Sequence, residues 1–165
     1  MEIRPYAETD APATLSVFLA AVMETAAVHY SAEQIAAWAR PAERDVNQWN
    51  LARTSLNTYV ATIGFEVAGF ADLGDDGYID MMFVAPRFGR RGVAGALLTH
   101  LHGIALMAGT SELYTNASIT ARPFFERHGF TVVAEQHPVT LGVEMTNYKM
   151  TLPLQNGQGT TTPNP

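Results

Sequence analysis

Val84-Ala-Pro-Arg-Phe-Gly-Arg-Arg-Gly-Val-Ala-Gly95 joins two kinds of sequence. Before it, Tyr78 to Val84 is an apolar run of strand character. After it, Leu97, Leu98, Leu101, Ile104 and Ala105 recur at helical spacing, and Ala108-Gly109 supplies a helix stop. A strand, a tight turn and a helix make an anion site from backbone alone. The glycines let the chain turn, the first helical N–H groups have no partners, and the helix dipole adds roughly half a positive charge there. Arg87, Arg90 and Arg91 fall within five residues, although the chain has only ten Lys and Arg and a net charge of -6. Gathering scarce cations at a helix start predicts a phosphate ligand. The competing reading is a tight surface turn with solvated arginines.

The phosphate ligand can be narrowed. No Lys-Ser or Lys-Thr follows the glycines, which removes the loop of nucleoside triphosphate enzymes, and Gly92-x-x-Gly95 alone falls short of the dinucleotide fingerprint.

Working outward, 165 residues suit one domain with a real core. Hydrophobic content of 47% with 16% charged residues predicts a globular protein. The absence of cysteine excludes disulfides, thiolate metal sites and a Cys nucleophile. Met1 to Asp10 shows neither the basic nor the apolar region of a signal peptide, and Val17 to Met23 is too short a run to span a bilayer. A cytoplasmic location is the expectation, without a membrane partner. A pI near 5.2 argues against nucleic acid and suits a cationic or amine substrate.

Glu2 to Tyr6 reads as a strand. Thr9 or Asp10 caps a helix carrying Leu15, Val17, Phe18, Ala21 and Val22, and Ser31 with Gln34 forms a capping box for a helix reaching Trp38. Val46 to Leu56 adds helical turns. Strands follow at Thr58 to Phe65 and Val67 to Leu73, with a turn at Asp75-Asp-Gly77 before Tyr78 to Val84. Beyond the helix of the opening motif come a strand at Glu112 to Asn116 and a helix capped by Ser118 running to His128. Strands at Phe130 to Gln136 and Val143 to Leu152, joined around His137-Pro138, complete the order. The pattern predicts an α/β fold with a mixed, mostly antiparallel central sheet flanked by helices on both faces. It would form a single domain over 1–153, with a disordered tail at 154–165.

Val-x-Pro, a basic turn and Gly-x-Ala entering a helix resemble the acyl-CoA pyrophosphate loop of the GNAT N-acetyltransferases, usually written Gln/Arg-x-x-Gly-x-Gly/Ala. Gly92 and Ala94 fit, whereas the Gln/Arg position holds Gly89, with Arg90 and Arg91 following. Ala121-Arg-Pro-Phe-Phe-Glu-Arg-His-Gly-Phe130 resembles the family's Ala-x-x-Phe-Tyr-x-x-x-Gly-Phe, about 30 residues downstream. The element order is similar over roughly residues 1 to 153. His29-Tyr-Ser-x-x-Gln-x-x-Ala-Trp38 also resembles the YafP-like bacterial branch of that family.

The resemblance implies an acetyl-CoA-dependent N-acetyltransferase that moves acetyl to a small-molecule amine by direct attack, since no Cys can carry an acyl group. Free backbone groups of Met82, Phe83 and Val84 would meet the pantetheine arm, and the amides of Gly89, Arg90, Arg91, Gly92, Val93, Ala94 and Gly95 would hold the pyrophosphate. Phe125 would flank the cofactor's thiol end. Asn116 is either a polar contact to the pantetheine or a turn residue closing its strand. Strand alternation would put Tyr78, Asp80, Met82 and Val84 on one face. Tyr78 falls where some relatives carry a general-base Glu. Asp80, the only acid inside that apolar run, could accept the amine's proton, anchor a cationic substrate, or bond an Arg in the core.

Phe125 stands where many relatives place the Tyr that protonates the departing thiolate. Ser118 or Tyr114 could take over, or the thiolate could leave unaided, its thiol having an ordinary pKa near 8.5. The alternative is an acyl-CoA-binding sensor with little or no turnover; a third reading is a domain for another phosphorylated metabolite. His29, Tyr30, Gln34 and Trp38 form the expected acceptor-side cluster, with Trp38 either an aromatic wall for an amine or plain core. No carboxylate–histidine spacing suggests a metal, and a homodimer is a common arrangement among similar proteins.

Overall fold

The computed structural model of the chain describes residues 1–154, and the rest of the expected tail lies outside the described residues. Two four-stranded sheets form the frame, in the orders β1-β2-β3-β5 and β4-β6-β10-β7. In sequence these are β1 (Glu2–Pro5), β2 (Asn57–Ile63), β3 (Glu66–Leu73), β4 (Tyr78–Ile79) and β5 (Met82–Val84). They continue with β6 (Glu112–Ser118), β7 (Thr131–Gln136) and β10 (Asn147–Pro153). All strand pairs are antiparallel except β4 with β6, where Tyr78 and Ile79 face Tyr114 and Thr115. A small separate hairpin, β8 (Val139–Thr140) with β9 (Val143–Glu144), occupies the connection around His137-Pro138. The strand expected from Val143 onward is thus divided, because Met145 and Thr146 leave one sheet before Asn147 joins the other.

The expected single strand from Tyr78 to Val84 is likewise two. Tyr78 O accepts from Gly74 N–H at 2.8 Å and Met81 O from Asp72 N–H at 2.9 Å, so the run stays beside β3 throughout. At Asp80 and Met81, however, it leaves the second sheet and enters the first. The alternation expected for Tyr78, Asp80, Met82 and Val84 is broken there. Gly77 makes the turn before β4 possible. Its φ is +90°, and a Cβ would fall 2.1 Å from Glu112 O, so the turn presses on the start of β6.

Helices cover both faces of the first sheet. On one side lie α1 (Ala11–Ala20) and α3 (Val46–Thr54), where Trp49 packs on Phe18 and Phe70. On the other lies α4 (Val93–Met107), approached closely by Gly69, whose Cβ would sit 3.0 Å from Val93 Cγ1. Two short helices, α2 (Ala32–Ala39) and α5 (Arg122–Arg127), stand beside the second sheet and its loops. The core joins Phe18, Val60, Phe70, Ile79, Leu97 and Leu113, all at most 1% exposed, and Leu154 is drawn into it at 7%.

The first helix is longer than its sequence suggests. α1 is continued by a π turn at Ala21–Thr25 and a 3₁₀ turn at Ala26–Val28. The stretch Glu8–Val28, with mean hydropathy 1.6, has the length and composition of a membrane span. Its buried face, Val17, Phe18, Val22 and Ala26, is spent on the protein's own interior. The capping box expected for α2 is present: Ser31 Oγ accepts from Gln34 N–H at 3.1 Å, and Gln34 Oε1 from Ser31 N–H at 2.9 Å.

Candidate active site

The change of partner at Asp80 and Met81 splays the two sheets and makes the site. β5 is the last strand of its sheet, so one edge of Met82, Phe83 and Val84 carries no strand among the described residues. Across the gap, β6 is paired with β4 only at Tyr114 and Thr115, which leaves Asn116 to Ser118 facing the opening. A cavity of about 320 Å³ occupies the gap and reaches from Ser118 and Phe125 to Trp38 and Met145.

At one end β5 runs into the Gly/Arg loop. Gly92, with φ +79°, caps α4, and Ala96 N–H is the first amide bonded back, to Gly92 O at 3.0 Å. The N–H groups of Val93, Ala94 and Gly95 therefore precede the first helical bond and point outward. Arg90 adopts a left-handed φ of 59°, and its side chain and that of Arg91 stand in solvent. Gly89 departs from expectation: its N–H is already donated to Pro86 O at 3.0 Å.

At the other end is Asp80. Its side chain is 40% exposed, so the cost of isolated burial does not arise. The acid buried behind it is Asp72, at 0% exposure. Arg53 on α3 donates to Asp72, Thr58 Oγ1 donates to it at 2.7 Å, and Arg53 Nη2 also stands 3.8 Å from Asp80. Burial pushes the Asp72 carboxyl up to about 6, against the opposing pull of Arg53 and Thr58. Asp72 is an acid set in the apolar run Val67 to Leu73, the same signal that marked Asp80; Arg53 carried no comparable mark.

Tyr78 and Asn116 line the cavity together, Asn116 Nδ2 donating to Tyr78 Oη at 3.2 Å, and burial raises the Tyr78 hydroxyl above its ordinary pKa. Ser118 ends β6 instead of capping a helix that begins beside it; α5 starts at Arg122. Ser118 Oγ accepts from Ala121 N–H at 3.0 Å, which leaves its own proton free for the cavity. Phe125 lines the same end, 4% exposed between Phe124 and Phe130. Tyr114 is not brought into the cavity. Its hydroxyl donates to Asp76, which raises its pKa to about 12.

The acceptor-side residues divide. Trp38 lines the cavity, edge-on to Tyr30 at 5.5 Å and tilted against Phe83 at 6.3 Å. Tyr30 also lines it, but its hydroxyl is fully engaged, donating to Thr146 O at 2.6 Å and accepting from Ile119 N–H at 2.9 Å. It bolts the segment before α2 to the loops after β6 and β9. His29 and Gln34 are outside the cavity lining: His29 meets Thr120 Oγ1 at 3.0 Å, and Gln34 donates to Glu144 O at 2.9 Å. Among the described residues no group of three or more His, Asp or Glu is placed to hold a metal ion.

A splayed sheet, a free strand edge and a Gly/Arg loop at a helix start define a class, and comparison with known proteins bears on it directly. The model of the acetyltransferase (GNAT) domain matches residues 26–152. The chain belongs to the GNAT acetyltransferase family and is an acetyl-CoA-dependent acyltransferase by class. It is 41% identical over 150 residues to the uncharacterized N-acetyltransferase YafP of Escherichia coli (strain K12), covering 91% of this chain and 94% of that protein. The crystal structure of a GCN5-related N-acetyltransferase from Rhodopseudomonas palustris superposes with a TM-score of 0.88 at 31% identity, covering 93% of this chain and 95% of that one. YncA of Salmonella typhimurium, a putative acetyltransferase solved with its cofactor acetyl-CoA, shares the fold. Its TM-score is 0.69 at 21% identity, covering 99% of this chain and 98% of that one.

Proposed function

We propose that the protein transfers the acetyl group of acetyl-CoA to a primary amine of a small molecule by direct nucleophilic attack. The observation that carries this reading is the free edge of β5, which runs from Asp80 and Met81 to the Gly/Arg loop along one side of the cavity. Backbone groups of Met82 to Val84 suit the amide-bearing pantetheine arm. The outward N–H groups of Val93 to Gly95, with Arg90 and Arg91, suit the pyrophosphate.

Asp80 takes a proton from the incoming ammonium, directly or through water. The amine nitrogen attacks the thioester carbonyl, the C–N bond forms, the C–S bond breaks, and the nitrogen gives its second proton to solvent. The Ser118 hydroxyl stands at the thiol end to supply the proton the sulfur gains, and solvent restores it. One ammonium and one thioester give one amide, one thiol and one released proton.

Phe125 supports a second reading, an acyl-CoA sensor without turnover, because its ring has no proton to give. Thermal unfolding with acetyl-CoA and a thiol-release assay with amines separate the two. A ligand at 100 times its dissociation constant adds about 2.7 kcal/mol of apparent stability. The stabilisation is expected in the wild type and lost in Arg90→Ala/Arg91→Ala. Thiol release on adding amine supports the enzyme, stabilisation without release supports the sensor, and no stabilisation removes both.

A further inference from the structure

We propose that the acceptor is an amine carrying a single positive charge on an aromatic or otherwise apolar body, without a carboxylate. This deepens the acetyltransferase reading and rests on it. Among the described residues Asp80 is the only acid lining the cavity, and no Lys, Arg or His lines it. Arg53, whose Nη2 stands 3.8 Å from Asp80, is buried against Asp72, and Arg44 donates to Trp38 O and Ala39 O with its charge over the Phe18 ring.

That inventory selects by what it lacks. The carboxylate of an amino acid would find no cation on the cavity lining, the Arg53 guanidinium being buried behind Asp80 and held by Asp72, and a desolvated, unpaired charge is heavily disfavoured. A polyamine would bring further ammonium groups into a space with one acid. A mono-amine satisfies the site with one ion pair to Asp80.

The walls specify the rest of the molecule. Tyr30, Trp38, Phe83 and Phe18 form a continuous chain of aromatic contacts, with successive ring centroids 5.5, 6.3 and 5.0 Å apart. Met81, Met82 and Met145 add pliable apolar surface to the lining. A second observation independently calls for a donor: Asn147 Oδ1 is buried without a partner, and Asn147 lies opposite Ser118 in the β6–β10 pair, at the cavity. Its oxygen suits an N–H of the incoming nitrogen, which leaves the apolar body to the aromatic wall.

The test is thiol release from acetyl-CoA by matched amines. 2-Phenylethylamine and phenylalanine differ only in the carboxylate, ethylamine lacks the ring, and spermidine adds charges. The expected kcat/KM is on the order of 100-fold higher for 2-phenylethylamine than for phenylalanine, and higher than for spermidine. Trp38→Ala is expected to narrow the gap between 2-phenylethylamine and ethylamine while leaving stabilisation by acetyl-CoA intact. Equal or better turnover of phenylalanine, spermidine or a peptide with a free N-terminus overturns the proposed class and leaves the acetyltransferase reading standing. Stabilisation by acetyl-CoA with no thiol release from any amine overturns the acetyltransferase reading, and this proposal with it.

Discussion

Arg53 and Asp72 form an ion pair inside the core, their side chains only 4% and 0% exposed. The pair ties α3 to β3 directly behind Asp80, and the Arg53 ring-stacking contact with Trp49, at 4.9 Å, anchors it further. Removing Arg53 would strand the Asp72 carboxylate in the core, and breaking a buried pair in this way costs roughly 3–5 kcal/mol. Urea unfolding of Arg53→Met at neutral pH should show a loss of about that size. A loss under about 1 kcal/mol would mean that the pair adds nothing net beyond what packing supplies.

Asp72 also gives the fold a pH dependence of known sign. Its folded pKa of about 6 lies above the ordinary value of 3.8, so the folded state keeps this proton where the unfolded chain has released it. The contribution of Asp72 is therefore fully favourable below about pH 4 and declines as pH rises to about 6. The stability of the wild type relative to Asp72→Asn should fall across that window and level off above it. A rising difference would place the Asp72 pKa below 3.8 and show the ion pair outweighing burial.

Arg90 holds a left-handed backbone inside the loop, with φ 59°. Such a conformation costs a non-glycine residue roughly 1 kcal/mol or more. Arg90→Gly should stabilise the ligand-free protein by up to about 1 kcal/mol while weakening acetyl-CoA binding. Unchanged affinity, measured by calorimetry, would show that the backbone of the loop acts without the Arg90 charge.

Ser118 and Tyr114 can be told apart by kinetics. With an amine selected by thiol release, Ser118→Ala should lower kcat by about 100-fold, the lower end expected for a lost proton donor. Tyr114→Phe should keep kcat, since the Tyr114 hydroxyl is held by Asp76 outside the cavity. The reverse ranking would move the proton source to Tyr114.

Gly77→Ala tests the turn that sets up the splay. A Cβ there would lie 2.1 Å from a backbone oxygen at a φ of +90°. The loss should reach about 2 kcal/mol or more, because neither the oxygen nor the turn can yield cheaply. A neutral result in thermal melts would show that the chain relaxes around Glu112.

Much of this was legible in the residues. The Gly92-x-Ala94 entry to α4, the Ser31 and Gln34 box and the element order are local signals, and the structure contains each. The break at Asp80 and Met81 was not legible, because Tyr78 to Val84 is apolar apart from Asp80 and only its neighbours on either side decide its partner. The short α5 had the same character: Ser118 has a cap's chemistry, yet pairing with Asn147 keeps it in β6. Tyr114 and Ser118 were both hydroxyl candidates for the thiolate's proton, and only the turn carrying Asp76 draws Tyr114 away from the cavity. Arg53 and Asp72, 19 residues apart, meet only once α3 lies on the sheet.

Because one run of chain from Tyr78 to Val84 serves both sheets, the gap between them is laid down by the fold itself. A slot of that origin stands open before any ligand arrives. A guest whose amides reach the β5 edge takes the place of a missing strand, and it finds that place already shaped. The conformational entropy of forming the bed is spent once, when the chain folds, and is not charged again at each encounter.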